Sequence, residues 1–454
     1  MVLNLSKKRI IFILAMTLIM FSAISAISAY DSNTTTLGAA KDTTPVDDHS
    51  FTSLDKQIEN ADSTLKISGT YKYNSKTDSK LKSGVKITKD MKIIGKSKAV
   101  IDGKSIARCL RIDNKATVTL ENLIIQNGYS KSNGAGIWVG SGSTLIIKNC
   151  VFKNNKVYNA NGGAIYSQDN VKIKIASSKF INNKAIRHSN LKWDNFKKGM
   201  GSAIKTCLKN TVSIRDSTFK NNKAYLATVL VVSYSDNVKK PSKLNINHCR
   251  FVKSYSHHSG VVYLDEYGSG KILNSVFRKN YSPDGSGIIV LDTSKSAIVK
   301  NCKFSRNKGL DGGAICIKVL TEKKSSNVKI TQCAFYKNVA RHYGGAVYAV
   351  GGKVKTYKCK FTKNKAKWGG AIYTRLGSLR STYAKFTKNI ADKGGAIYLT
   401  CKKASFSKSK FTKNKAHSYK SIYTILKKVN CKKCIFDKIK VNSNLINSSI
   451  HQYP

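Results

Sequence analysis

Acidic residues are scarce in this chain. Its 454 residues carry 24 Asp+Glu against 80 Lys+Arg, a formal net charge of +56. The shortage is sharpest at the C-terminal end, where residues 351–454 hold 25 Lys/Arg and two acids, Asp392 and Asp437. Scarce Glu, beside plentiful Asn, Thr, Ser, Tyr and Gly, argues against helical bundles. Few carboxylates leave little with which to build the paired acids of a hydrolase or the acidic calcium ligands of a lyase. Cys431-Lys-Lys-Cys434 has no second pair and no His at zinc spacing, so no metal site and no cofactor is expected. Apolar residues make up 41% of the chain, which is ordinary for a sequence that folds and excludes wholesale disorder.

One long hydrophobic run is present, at the start. Lys7, Lys8 and Arg9 precede an apolar stretch from Ile10 to Phe21, and Ala26-Ile27-Ser28 supplies small residues for cleavage. Residues 1–29 therefore read as a secretory signal peptide. No second span follows, so no transmembrane segment is expected after cleavage, and the product is secreted or held at the cell surface. Residues 30–50 are polar and unpatterned, a flexible lead-in. Phe51, Leu54 and Ile58 then stand at helical spacing, which predicts an N-terminal helical cap with entry strands over 51–84.

What fills the rest is a repeat. Phe152-Lys-Asn-Asn155 recurs at Phe180, Phe219, Phe251, Phe277, Phe304, Phe335, Phe361, Phe386 and Phe411, with a degenerate copy at Phe436. The last four intervals are 26, 25, 25 and 25 residues, and the earlier ones run from 26 to 39. Between the Phe motifs stands a second element, Gly162-Gly-Ala-Ile-Tyr166, repeated at Gly312, Gly344, Gly369 and Gly394 and more weakly elsewhere. Short β-like runs separated by Gly, Asn and Lys clusters exclude a helical period. Three strands per unit of about 25 residues fit one turn of a β-solenoid. The expected fold is all-β: a single-stranded right-handed parallel β-helix over residues 85–440, with a short tail at 441–454. At about 4.8 Å per rung, some 14 rungs make a rod roughly 65 Å long.

Strand alternation assigns the faces. Phe points inward together with the residue two before it, which is Cys at 150, 249, 302, 333, 359 and 434. That file reads as mainly reduced, buried thiols, with stapling after export as the other possibility. Asn stands three positions after Phe on nine of eleven rungs, placed to form an amide ladder at a corner. Two positions after Phe come Lys253, Lys279, Arg306, Lys337, Lys363, Lys388, Lys413 and Lys438, eight consecutive rungs. Lys365 and Lys415 add to that edge. Cations so stacked repel one another unless a polyanion lies along them, which marks this basic ladder as the candidate ligand-binding site. An exported chain with no nucleic-acid reading module implies no specific nucleic-acid partner.

The paired motifs Phe-x-x-Asn and Gly-Gly-Ala-Ile/Val-Tyr resemble the repeats of chlamydial polymorphic outer membrane proteins. They are also similar to those of right-handed parallel β-helix adhesin-like proteins exported by methanogenic archaea. The resemblance covers roughly Leu120 to Lys440, and Lys92-Ile-Ile-Gly-Lys96, Val100-Ile-Asp-Gly103 and Val118-Thr-Leu-Glu-Asn-Leu123 resemble the usual entry to such proteins. The tail is too short for an outer-membrane barrel. The resemblance therefore implies a secreted or surface adhesin-like protein. Its partners would be anionic polysaccharide, cell-wall or surface polymers, including those of a host or neighbouring cell. The rival reading is a polysaccharide lyase or glycoside hydrolase of the pectate-lyase-like β-helix class. Its candidate acids are Asp265, Glu266, Asp284, Asp292, Asp311 and Asp392, which fall at scattered repeat positions. His257-His258 is a solitary pair with no evident partner, and no residue is assigned as catalytic.

Overall fold

The computed structural model describes residues 48–187, 198–232, 241–264, 268–292, 296–318, 327–426, 428–437, 439–441 and 444–446. The expected signal peptide and nearly all of the expected lead-in lie outside them, as do Lys438, Asp265, Glu266 and most of the expected tail.

The chain forms the expected parallel β-helix, and one rung shows the construction. Ile372–Arg375 lies in sheet I, Ser378–Thr382 in sheet II and Lys385–Thr387 in sheet III. Among the described residues sheet I has 13 strands and sheets II and III have 15 each. Every neighbour in sheet I is parallel and in register, as Ile372↔Ile397 and Tyr373↔Tyr398 illustrate. The structure adds what a three-strand reading omits. After the Asn corner a fourth, narrow strip forms, eight strands from Tyr129–Ser130 to Val339–Ala340 and then a pair, Ile390–Lys393 with Lys415–Ser418.

Corners are made by single residues in the left-handed region. One follows sheet II and another follows sheet III on nearly every rung, as at Asn149 (φ 51°) and Asn154 (φ 58°). A third corner is the Gly-Gly pair before sheet I. Gly369 takes φ 66°, and a Cβ on Gly370 would overlap the Gly395 carbonyl of the next rung. Only glycine permits that approach.

Stacking fills the interior. The eleven motif phenylalanines, Phe152 to Phe436, are at most 2% exposed. Their rings form one column with centroids 4.6–5.0 Å apart and planes within 9° of parallel. Register imposes this stacking, because identical in-register positions repeat at the strand spacing. Each buried ring contributes about 3 kcal/mol of hydrophobic transfer. The Cys file is buried beside it, and each thiol meets strand carbonyls: Cys302 Sγ lies 3.4 Å from the Ile272 oxygen and 3.3 Å from that of Lys300. Burial pushes the Cys150 and Cys249 thiols up to about 11.

The Asn ladder is built of mutual hydrogen bonds. Asn338 Nδ2 donates to the Phe304 carbonyl at 3.0 Å and to Asn364 Oδ1 at 3.1 Å. Its own Oδ1 accepts from the Asn307 backbone N–H at 3.2 Å and Asn307 Nδ2 at 2.9 Å. These buried amides satisfy the corner backbone that sheet pairing leaves open. The run is interrupted at Ser254, whose buried hydroxyl has no partner.

The N-terminal end is covered by a helix. Helix α1 (Phe51–Asn60) turns Phe51, Leu54 and Ile58 into the first rungs, as their spacing predicts. Ser50 Oγ accepts from the Ser53 N–H at 3.0 Å. The buried Asp78 carboxylate accepts from the N–H groups of Phe51, Thr52 and Asn74 at 3.2, 2.9 and 2.7 Å and from the Thr52 hydroxyl at 2.7 Å. At the other end Ile439–Val441 and Asn444–Ile446 run antiparallel to the last strands of sheets III and II. Among the described residues no helix is long and apolar enough to cross a membrane.

Candidate functional site: a basic face

Lys253, Lys279, Arg306, Lys337, Lys363, Lys388 and Lys413 occupy one position, the left-handed corner between sheet III and the fourth strip. Their φ angles are 51–55° and all are exposed. Each backbone N–H points to the next rung: those of Lys337 and Lys363 donate to the carbonyls of Thr362 and Thr387 at 3.0 Å. Seven members of the row are thus brought into one file, and the eighth, Lys438, lies outside the described residues. On earlier rungs the same corner holds Asn127, Asn154, Asn182 and Asn221, at φ 49–58°. Asn tolerates the left-handed region and Lys does not share its local stabilisation. Each basic residue therefore sits where it costs the fold about 1 kcal/mol.

A second row runs beside the first. Lys360, Lys385 and Lys410 are register partners in sheet III. They precede Phe, so alternation turns them outward, and all three are exposed. Arg250 and Lys303 hold the same position lower down. Between the rows stands a column of Thr362, Thr387 and Thr412. The two cationic rows lie about 10 Å apart along the strand direction. Lys365 and Lys415, both exposed, extend the face into the fourth strip. The second row was legible in the repeated Lys-Phe-Thr-Lys, since Phe inward requires its neighbours outward.

Acids are few on this face. Among the described residues from Arg250 to Lys415 the acids are Asp284, Asp292, Asp311 and Asp392, and none lies on sheet III or its corners. On the last rung Asp437 follows sheet III directly, and its Oδ1 accepts from the Lys413 backbone N–H at 2.7 Å. Scattered repeat positions in the sequence prove to be a grouping in space. Asp284 and Asp311 stand at the corner entering sheet I and Asp392 in the fourth strip just before it, each facing a histidine one rung away. His257 Nδ1 is 3.3 Å from Asp284, His342 Nδ1 is 3.7 Å from Asp311 and His417 Nδ1 is 3.8 Å from Asp392. His257 therefore has the partner that the sequence did not reveal, and it also stacks on Tyr225 at 5.6 Å. Burial holds the Asp311 carboxyl above its usual range, opposed by His342. Asp292 accepts from the Tyr263 hydroxyl at 2.9 Å. Asp284 and Asp292 thus lie against His257 and the Tyr263 hydroxyl, whereas Asp311 Oδ1 is buried without a hydrogen-bond partner. Among the described residues no group of three His, Cys, Asp or Glu side chains is placed to hold a metal ion.

Sequence reading also passed over two exposed tyrosines at the corner between sheets II and III, Tyr357 and Tyr383, 39% and 40% exposed. They lie outside both repeat motifs, so no signal marked them. Lys358 Nζ stands 5.4 Å from the Tyr357 ring and Lys408 Nζ 5.0 Å from that of Tyr383. This surface can hold an extended polyanion along the rod by many charge contacts.

A family model described as "right handed beta helix region" matches residues 93–264, 207–379 and 259–449. No curated protein matches. Two solved structures are similar. Tailspike protein 3 of bacteriophage CBA120 aligns with TM-score 0.37 and 13% identity over 87% of this chain and 60% of its own, so this chain spans about three fifths of the tailspike's length. PfbA, a surface adhesin of Streptococcus pneumoniae, aligns with TM-score 0.32 and 10% identity over 86% of this chain and 87% of its own.

Proposed function

The chain belongs to the right-handed β-helix family, and from that premise we propose that it is a secreted or surface adhesin-like protein that holds anionic polysaccharide or wall polymer along its basic face. One observation carries this reading: register sets cations in parallel rows on sheet III while the described acids from Arg250 to Lys415 lie off that sheet and its corners. Unit charges at one-rung spacing repel by about 1 kcal/mol per neighbour in water. A polyanion lying along the rows removes that cost and releases its own counterions.

The test is the triple variant Lys363→Gln, Lys388→Gln, Lys413→Gln against the unaltered protein on polygalacturonate. Retention at low salt and release at high salt are expected. Removing three contacts should lower the slope of log affinity against log salt by about 2. An unchanged slope, or intact polymer that never binds, would refute the reading. Shortened polymer would replace it with the lyase or hydrolase alternative.

A further inference from the structure

Charge rows alone do not distinguish one polyanion from another, but the aromatic pair beside them does. Tyr383 is the successor of Lys358 and the predecessor of Lys408 in the left-handed column between sheets II and III, with φ 50°, 53° and 47° at 358, 383 and 408. On other rungs that corner is Asn122, Asn149, Asn274 and Asn301. A bulky aromatic in this conformation is an outlier that the corner does not require. Tyr357 lies diagonally across, the two rings 5.7 Å apart at 87°. In an edge-to-face pair one ring gives its edge and keeps a face of its own. Lys408 Nζ donates to the Tyr383 hydroxyl at 2.8 Å, which pins the ring, and Lys408 with Lys358 and Lys433 holds that hydroxyl below its usual range.

We propose that Tyr357 and Tyr383, with Lys358 and Lys408, form a ring-stacking subsite for a uronic-acid unit of the polymer on the basic face. The C–H face of the pyranose packs on the open aromatic face, as apolar surface does on any ring. Its carboxylate meets a lysine ammonium. The ligand class is thereby narrowed from polyanions in general to polysaccharides whose rings carry carboxylates. The inference rests on the basic-face reading.

Two probes separate the claims: polygalacturonate, which has rings, and polyphosphate of matched charge, which has none. The variant is Tyr357→Thr with Tyr383→Asn, substitutions that copy Thr331 on the adjacent rung and Asn301 at the same corner three rungs away. Affinity for polygalacturonate should fall about tenfold, the value of one lost ring contact. Affinity for polyphosphate should stay the same, and the melting temperature should rise because Asn suits the corner. Undiminished polygalacturonate binding, or an equal loss on both polymers, would overturn the subsite and leave the basic face standing. If neither polymer binds the unaltered protein at low salt, both readings fall.

Discussion

Asn338 and Ser254 occupy the same corner on different rungs, and they allow the amide ladder to be tested with opposite signs. Replacing Asn338 by Ala deletes the acceptor of the Asn307 backbone N–H and of Asn307 Nδ2, and the donor to the Phe304 carbonyl. Asn364 Oδ1 keeps the backbone N–H of residue 338 at 3.0 Å, and Asn307 Nδ2 keeps the Phe277 carbonyl at 3.0 Å. One group is then buried without a partner, the Asn307 N–H, since the Phe304 oxygen stays in the sheet III ladder opposite the Tyr336 strand. At 1–3 kcal/mol for such a group, the loss is about 2 kcal/mol. Ser254→Asn acts the other way. It removes a hydroxyl buried without a partner and offers Asn222 the next-rung amide acceptor that Asn183, Asn280, Asn307 and Asn338 have, a gain of about 2 kcal/mol. Guanidinium unfolding followed by far-UV circular dichroism measures both, as shifts of midpoint at constant slope. A neutral or destabilising Ser254→Asn, or an Asn338→Ala costing under about 1 kcal/mol, would show that the ladder is incidental to stability.

Three further outcomes are expected. Lys363→Asn and Lys388→Asn should each raise stability by up to about 1 kcal/mol while weakening retention on acidic polymer, because Asn accepts the left-handed corner and carries no charge; loss of both together would refute the argument from strain. Burial opposes ionisation of Asp78, but hydrogen bonds from Thr52, Asn74 and Phe51 outweigh it and hold the carboxyl below its usual value. Its contribution is therefore complete above about pH 4 and is lost as pH falls through the lowered folded value. Asp78→Ala should cost about 3 kcal/mol at neutral pH, and the gap from the unaltered protein should close in acid, read as melting temperature against pH. Ten of the eleven cysteines are buried and Cys207 is half-buried, so a thiol reagent should modify one site in the native protein and eleven after denaturation. Several fast native sites would contradict the packing, and fewer than eleven in denaturant would reveal disulfides.

The inward half of each rung was legible before any coordinates. Phe361, Cys359 and Asn364 are fixed by a local pattern: strand alternation sends Phe and the residue two before it to one side, and the Asn three later can only serve the corner. Helix α1 was legible for the same reason, in the spacing of Phe51, Leu54 and Ile58. The left-handed corner at Lys363 was not, because lysine is no signal for positive φ and only its superposition on Asn154 and Asn182 exposes the conformation. The pairing of Asp284 with His257 was passed over although the spacing there is regular, seven residues after Phe277 and six after Phe251, because a lone acid and a lone histidine on different rungs form no motif.

Period, inward packing and a surplus of positive charge were determined by the sequence itself, because each follows from residues a few positions apart. Which outward side chains become neighbours was decided by the tertiary structure alone. Interstrand hydrogen bonds set Lys360 on Lys385 and bring Tyr357 against Tyr383, about 25 residues on along the chain. One residue of slip in that register would turn the basic rows inward and the phenylalanine column out, and burial of the column forbids it.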